Sequence, residues 1–421
     1  MAGKKFNFID LFAGCGGLSE GFYRQGFNAL AHVEIDHMAC ETLKTRMRYY
    51  GYQDADRAVL EADITSKDIV KRISDIVGNN EVDIIIGGPP CQSFSPLGKA
   101  KDVNNMQDDP RNYLFENYVK VLNHFKPKFF VFENVTGLLD TEVKGKSIFK
   151  MILRRLRRNY KVLSNASIIV LNATNYGVPQ ERKRVILLGV RRDLDVDPRD
   201  VYAAIEKTHY LPESSEKEKE GKIRYVTVRE AIGDLPALQQ GQGTKEMEYP
   251  NTYESCNDFV RKIRNPQNMV LRDHVPRRNN EKDVERYRVM AENHWNFLQL
   301  LDFRPDLGHE KKRVFFNSYK VQWWDAPAKT IIAHLYKDGN QFIHPDPAQG
   351  RSITVREAAR LQSFSDDFVF EGSRTDQFKQ IGNAVPPLLA EAIAKGVRKM
   401  LEEVDKEENS DDISESDRTT E

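Results

Sequence analysis

The chain has 421 residues and 40% hydrophobic content, enough for a large core and two domains. Basic and acidic side chains number 63 each, yet residues 402–421 hold ten acids and two cations, which leaves 61 cations against 53 acids on residues 1–401. No apolar run approaches the ~18 residues of a membrane span, and the amino terminus reads as a first strand rather than a signal peptide. The four cysteines show neither CxxC spacing nor a cluster of histidines near them, so no zinc site and no disulfide framework is indicated, and a cytoplasmic chain with reduced thiols and no metal is expected.

In chain order, strand-like runs occur at Asn7–Leu11, Ala29–Glu34, Val82–Ile86, Phe129–Glu133, Ser167–Asn172 and Arg184–Val190, separated by helical stretches. Such alternation predicts an α/β fold, a mostly parallel sheet with helices on both faces. From Asp193 to about Gly350 the sequence turns charged and weakly periodic, which predicts a smaller, irregular second domain. Helical periodicity returns at Val355–Phe364, and a last helix after Pro386 and Pro387 carries Leu388, Leu389, Ile393, Val397, Met400 and Leu401 on roughly one face, to be packed on the first domain. The expected organisation is therefore 1–192, 193–350, a return of the chain to the first domain over 351–401, and a disordered acidic tail over 402–421.

The first strand runs into a glycine-rich turn at Gly14, Gly16 and Gly17, which lets a nucleotide-containing cofactor approach the backbone. Ser19 breaks the dinucleotide fingerprint. Glu34, twenty residues after Gly14, can accept both hydroxyls of a ribose, and Asp63 can accept from an adenine amino group. Each acid alone reads equally well as a solvated surface group; in this order they favour an adenosyl cofactor, a methyl donor over a nicotinamide. At the third strand's end Gly87, Gly88, Pro89 and Pro90 lead to Cys91, a thiol held by backbone geometry. Read by itself it is either a nucleophile or a buried structural cysteine. Between Lys144 and Arg192 there are thirteen cations and one acid, and between Arg261 and Lys320 fourteen cations and eight acids, the footprint of a polyanion binder. The run Arg154, Arg155, Arg157, Arg158 is equally readable as a solvated helix face.

The ordered set "DLFAGCGG" at Asp10, "VEID" at Val33, "GGPPCQSFS" at Gly87, "ENV" at Glu133, "PQERKRV" at Pro179, "TVREAARLQ" at Thr354 and "QIGNAVPP" at Gln380 resembles the cytosine-5 DNA methyltransferase family of bacterial restriction-modification type. The resemblance covers most of the chain except the tail and much of 193–325. It implies a Rossmann-like S-adenosylmethionine-dependent methyltransferase domain with a target-recognition domain in the variable stretch. Double-stranded DNA is the implied partner, a restriction endonuclease fits as a functional partner, and the chain is expected to be a monomer.

The resemblance further implies a role for each motif residue. Cys91 would add to carbon 6 of an extruded cytosine and Glu133 would engage its ring nitrogen 3 and amine. Arg184 would hold the base carbonyl and Arg182 the backbone near the thiol, both projecting to one face of a strand. Phe12, Gly14, Gly16, Gly17, Glu34, Asp63, Ile64, Pro90 and Asn383 would form the cofactor pocket. Gln92, Ser95, Thr330 and Ile331 would contact DNA, Ile331 standing where the family has leucine. Residues 92–112 would close over the flipped base. Candidate groove readers are Arg272, Arg277, Arg278, Arg286, Arg288, Asn317 and Lys320. Two alternatives remain: a transfer-RNA cytosine methyltransferase, whose Cys-Phe-Thr signature is absent because Asn257 and Asp258 follow Cys256, and a catalytically idle DNA-binding module.

Overall fold

A computed structural model describes residues 4–90, 109–308, 318–337 and 339–418. Cys91, Gln92, Ser95 and Asn317 lie outside the described residues, as does the segment expected to close over the base as far as Asp108. The chain divides into two compact units, the first made of residues 1–172, 183–207 and 389–421, the second of 173–182 and 208–388.

The first unit is built on β1 (Asn7–Leu11), β2 (Asn28–Glu34), β3 (Val59–Glu61), β4 (Ile84–Gly87), β5 (Phe129–Val135), β6 (Tyr160–Val162), β7 (Val170–Asn172) and β8 (Lys183–Arg191). They form one sheet in the order β3-β2-β1-β4-β5-β8-β6, with β7 also paired to β8. The ladders from β3 through β5 are parallel, whereas β8 runs antiparallel to β5, β6 and β7. Helices α1 (Gly17–Arg24), α2 (His37–Tyr49), α3 (Ile69–Val77), α4 (Phe115–Phe125) and α5 (Ile148–Leu156) connect the strands. Both faces of the sheet are therefore covered, and the strands read as continuous apolar runs: Ile84 to Ile86 and Phe129 to Phe132 are all buried. Strand order reverses between β1 and β4, and in open α/β sheets ligands sit at the carboxyl ends of the strands at such a point.

The expected strand Ser167–Asn172 is shorter than predicted. Asn165 accepts from the Ser167 amide and caps a helical turn, Ala166–Ile169, so only Val170–Asn172 joins the sheet. β3 and β6, three residues each, went unpredicted, because three residues are too few to display an alternating pattern.

The second unit is a set of short elements around a core of Tyr287, Met290, Phe297, Leu300, Tyr319, Val321 and Ile343. Residues 351–388, expected with the first domain, group instead with this unit. The physical reason lies in α6 (Val355–Leu361), which carries two fully buried arginines. Arg356 donates to the Arg272 carbonyl, and Arg360 to the Ala231 carbonyl and to Asp366 and Asp234, so the helix is tied to sequence between 231 and 272. A buried cation requires such partners. The next helix, α7, spans Arg374–Asn383.

The last helix, α8, spans Pro387–Arg418. Its expected apolar face is buried, and the Cβ of any residue at position 21 would come within 2.2 Å of the Ala390 backbone, so Gly21 is what lets α1 and α8 touch. The acidic end does not follow the expected disorder: the helix continues to Arg418. Composition misses the reason, which is a specific partner. Lys128, itself buried, donates to Asp405 at 3.1 Å and Glu408 at 2.6 Å, Lys4 also bonds Asp405, and Val404 is buried. Truncation after residue 408 should leave the unfolding midpoint unchanged, whereas truncation after residue 402 should cost about 2 kcal/mol in chemical denaturation, from the lost burial of Val404 and the loss of both Lys128 partners.

Candidate active site

The parallel ladder aligns several carboxyl ends side by side. Glu34 is paired in register with Glu61, Leu11 with Val33 and with Gly87, and Gly87 with Phe132, so the chain leaves β1, β2, β3, β4 and β5 along one edge of the sheet. Phe12 and Gly14, Glu34, Asp63, Pro90 and Glu133 follow or end those strands. The reversed direction of β8 brings its amino end, with Arg184, to that same edge.

At the β1 end the backbone turns through Phe12 (φ 58°), Gly14 (φ 55°) and Gly16 (φ 89°) before α1 starts at Gly17. A side chain at position 16 would meet Leu43 at 2.7 Å, whereas position 14 opens on space. Glu34 is anchored against this turn: one carboxylate oxygen accepts from the Gly14 amide at 2.8 Å, the other from the amides of Ile35 and Asp36. Backbone donors hold the carboxylate still, and among the described residues no cation is paired with it. Ile35 is 66% exposed next to Glu34, an apolar platform that sequence reasoning missed; an apolar residue after a strand-end acid was the available signal. Asp63 is exposed and accepts from the Thr65 amide and hydroxyl, which hold its carboxyl below the usual range. Ile64 instead faces the sheet core. These residues suit an adenosyl group: a fixed carboxylate for a diol, an apolar surface for a ring, and a turn with no side chain in the way.

Behind the turn lies a buried polar cluster. The Ser19 hydroxyl donates to Asp10 at 2.5 Å, and His32 contacts Tyr23 and Ser19. Burial pushes the Asp10 carboxyl up to about 8 and the His32 imidazole down to about 3. Both side chains are thus neutral at mid pH, which is how two titratable groups are accommodated in a core.

At the β4 and β5 ends, Glu133 lies diagonally across the ladder from Arg184, and the Arg184 Nε meets the Glu133 Oε1 at 2.9 Å. The other oxygen, Oε2, faces Gly88, where an added Cβ would approach it to 2.7 Å. Asn134, buried, donates from its amide to the Pro89 carbonyl at 3.2 Å. Two consecutive residues of β5 therefore fix the turn that leads to position 91. The remaining cysteines, Cys15, Cys40 and Cys256, are buried, and burial pushes the thiols of Cys15 and Cys40 up to about 12, too high for a thiolate nucleophile.

Arg182 departs from the expected strand face. β8 begins at Lys183, and the Arg182 guanidinium, 1% exposed, donates to the carbonyls of Ile331 (2.7 Å), Gly382 (3.2 Å) and Ala384 (2.9 Å). Gln180, which sequence reasoning passed over, donates to the Leu361 carbonyl and accepts from the Ile331 amide. Thr330 donates to the Glu181 carbonyl. Residues 180–182 thus clamp the Thr330–Ile331 segment and both neighbours of Asn383, an exposed residue at the end of α7. Of the candidate groove readers, two are committed inside the second unit. Arg277 donates to the carbonyls of Leu335, Tyr336 and Lys337, and Arg286 to those of Leu307 and Gly308. Arg272 and Arg288 are paired with glutamates, while Arg278 and Lys320 are exposed. Arg182→Lys should lower the stability of the second unit by about 2–3 kcal/mol in denaturant unfolding, because an ammonium cannot span three carbonyls; Arg184→Lys should change stability by under about 1 kcal/mol.

The chain matches known proteins over nearly its whole length. Residues 6–399 match the family of C-5 cytosine-specific DNA methylases. The chain is 35% identical to the type II methyltransferase M.Bpa9945I of Bacillus paralicheniformis, over 93% of this chain and 98% of the relative. It is also 35% identical to the type II methyltransferase M.DdeI of Desulfomicrobium norvegicum, over 94% and 90%. Among solved structures, a putative DNA modification methyltransferase from an Escherichia coli prophage superposes with a TM-score of 0.65 at 25% identity, covering 94% of this chain and all of that one. The chain belongs to the C-5 cytosine-specific DNA methylase family, and is a DNA (cytosine-5-)-methyltransferase that uses S-adenosylmethionine.

Proposed function

We propose that Cys91, Glu133 and Arg184 form the reacting centre for a cytosine extruded from duplex DNA, and that Glu34 anchors the cofactor. The observation that carries this reading is the Glu133–Arg184 pair set against Gly88, three residues before Cys91. Carbon 5 of cytosine is too weak a nucleophile to react unaided. Addition of the Cys91 thiolate to carbon 6 forms a sulfur–carbon bond and turns carbon 5 into an enamine carbon. Glu133 bonds ring nitrogen 3 and the amine, a role that needs a carboxyl carrying or sharing a proton, so the charge pushed into the ring is met where it develops. Arg184, released in part from Glu133, holds the base carbonyl. Once carbon 5 carries the methyl group, water takes the remaining carbon 5 proton, the electron pair of that C–H bond re-forms the 5,6 double bond, and the Cys91 thiolate leaves carbon 6.

S-adenosylmethionine, when bound, supplies an electrophilic methyl group. Glu34 would accept its ribose hydroxyls, Ile35 would cover an adenine face, Asp63 would accept from the adenine amine, and Phe12, Gly14, Gly16, Gly17, Pro90 and Asn383 would complete the pocket, Ile64 contributing through its backbone alone. Arg182 acts as a positioning residue through its three carbonyls, and Thr330 and Ile331 support the extruded nucleotide with Gln92 and Ser95. The second unit supplies target recognition. Both relatives are named type II methyltransferases, which supports a modification role beside a restriction endonuclease; the enzyme would act as a monomer in the bacterial cytoplasm.

Glu34→Gln should weaken S-adenosylmethionine binding about 10- to 100-fold in calorimetry, the loss of charge-assisted hydrogen bonds, with little change in kcat at saturating cofactor. Bisulfite sequencing of DNA from a host expressing the chain should show methylated cytosine at one short sequence, and no methylation with Cys91→Ser. Methylation by the Cys91→Ser variant would refute the covalent route, and methylation without sequence preference would refute the modification role.

A further inference from the structure

The run of positive charge from Lys144 to Lys161 contains eight cations and no acid, and the structure sorts them. Arg155 is paired with Glu116 at 2.9 Å, and Arg157 donates to the Val162 carbonyl and Ser164. Lys146, Lys150, Arg154 and Arg158 are all exposed, and among the described residues none of these four holds a carboxylate. Other exposed cations do hold a carboxylate, as Lys71 holds Asp75 and Arg199 holds Asp197. The four stand at every fourth position, Lys150 and Arg154 within α5, Lys146 in the hairpin before it and Arg158 in the turn after it. Because α5 buries Ile148, Ile152, Leu153 and Leu156, its two cations occupy the opposite side. From Lys150 to Arg158 the row covers about 12 Å at ~1.5 Å per residue, or three to four base steps of duplex at ~3.4 Å.

Position adds to the charge argument. β5 and β6 both run antiparallel to β8 and hence parallel to each other, so α5 is the crossover between them. The hairpin with Lys146 therefore follows the strand end that holds Glu133, and α5 leads away from that edge. We propose that Lys146, Lys150, Arg154 and Arg158 bind the phosphate backbone of duplex DNA flanking the methylated site, a sequence-independent hold separate from target recognition. A row of unpaired cations is complementary to a linear polyanion and releases counterions on binding it. The proposal takes DNA as the substrate and is independent of the roles assigned to Cys91 and Glu133.

The test uses the full chain and a mixed-sequence 40-base-pair duplex, with binding followed by fluorescence anisotropy across a salt series. Replacing all four residues with Gln should reduce the slope of log K against log salt by about 3 to 4, at ~0.9 for each phosphate no longer neutralised. The unfolding midpoint, and methyl incorporation into unmethylated genomic DNA at saturating concentration, should stay at the parent values. An unchanged slope overturns the proposal. So does an equal loss per charge in a Lys71→Gln, Arg199→Gln control, which would make net charge the only cause. Self-association in sedimentation that disappears in the fourfold variant also overturns it, since the row would then receive the acidic segment 402–421 of a second copy. Absence of cytosine methylation by the parent chain would instead strike the catalytic reading and leave the salt slopes interpretable.

Discussion

The arrangement depends on one reversal of strand direction. If β8 ran parallel to β5, Arg184 would lie at the opposite end of the sheet from Glu133, and the ion pair at 2.9 Å could not form. Running antiparallel, it sets a guanidinium beside a carboxylate at the edge where β1 to β5 all end. Each member covers the other's charge while both stay partly exposed at the sheet edge, with side chains about a tenth exposed, so neither is stranded in a low-dielectric core. The neighbour on the other side of Glu133 is backbone, at Gly88, and this is where glycine is required by space: any Cβ would press on the carboxylate.

Within each unit, groups proposed to do no chemistry hold the motif segments in place. Asn134 ties down the Pro89 carbonyl, and Glu34 is held by three backbone amides. Arg182 and Gln180 connect three motif segments far apart in sequence, at residues 331, 361 and 382–384, through carbonyl oxygens that any side-chain sequence would offer. Such supporting contacts decide whether a reacting group sits within the fraction of an ångström that catalysis requires. The buried Asp10 and His32 behind the glycine turn belong to the same class, neutral and internally bonded.

Much of this was legible in the residues themselves. The glycine turn, the strand-end acids and the Gly-Gly-Pro-Pro turn are local features, visible wherever φ, donors or side-chain volume are restricted, and the sheet core follows from unbroken apolar runs. The misread charged residues share one cause: a charged side chain's role depends on what lies opposite it in space. Alternation placed Arg182 and Arg184 on one face, yet Arg182 serves carbonyls 149 or more residues away. Arg277 and Arg286 looked like groove readers and are internal braces. The acidic terminus looked solvated because Lys128, nearly 280 residues earlier, cannot be seen from its composition. The run at Arg154 to Arg158 was ambiguous for the same reason, and the pairing of Arg155 with Glu116 and the bonds of Arg157 to Val162 and Ser164 separate structural cations from open ones.

The central claim is that the turn fixed by Glu133, Asn134 and Gly88 presents Cys91 to carbon 6 of the target base. It is tested most directly with duplex DNA in which 5-fluorocytosine replaces cytosine, because fluorine cannot leave as a proton and the adduct cannot resolve. The account predicts an irreversible protein–DNA complex, dependent on S-adenosylmethionine, whose cross-linked peptide contains Cys91 and which is absent in Cys91→Ser. No adduct from an enzyme that methylates normal DNA, or a cross-link through Cys15, Cys40 or Cys256, would contradict it.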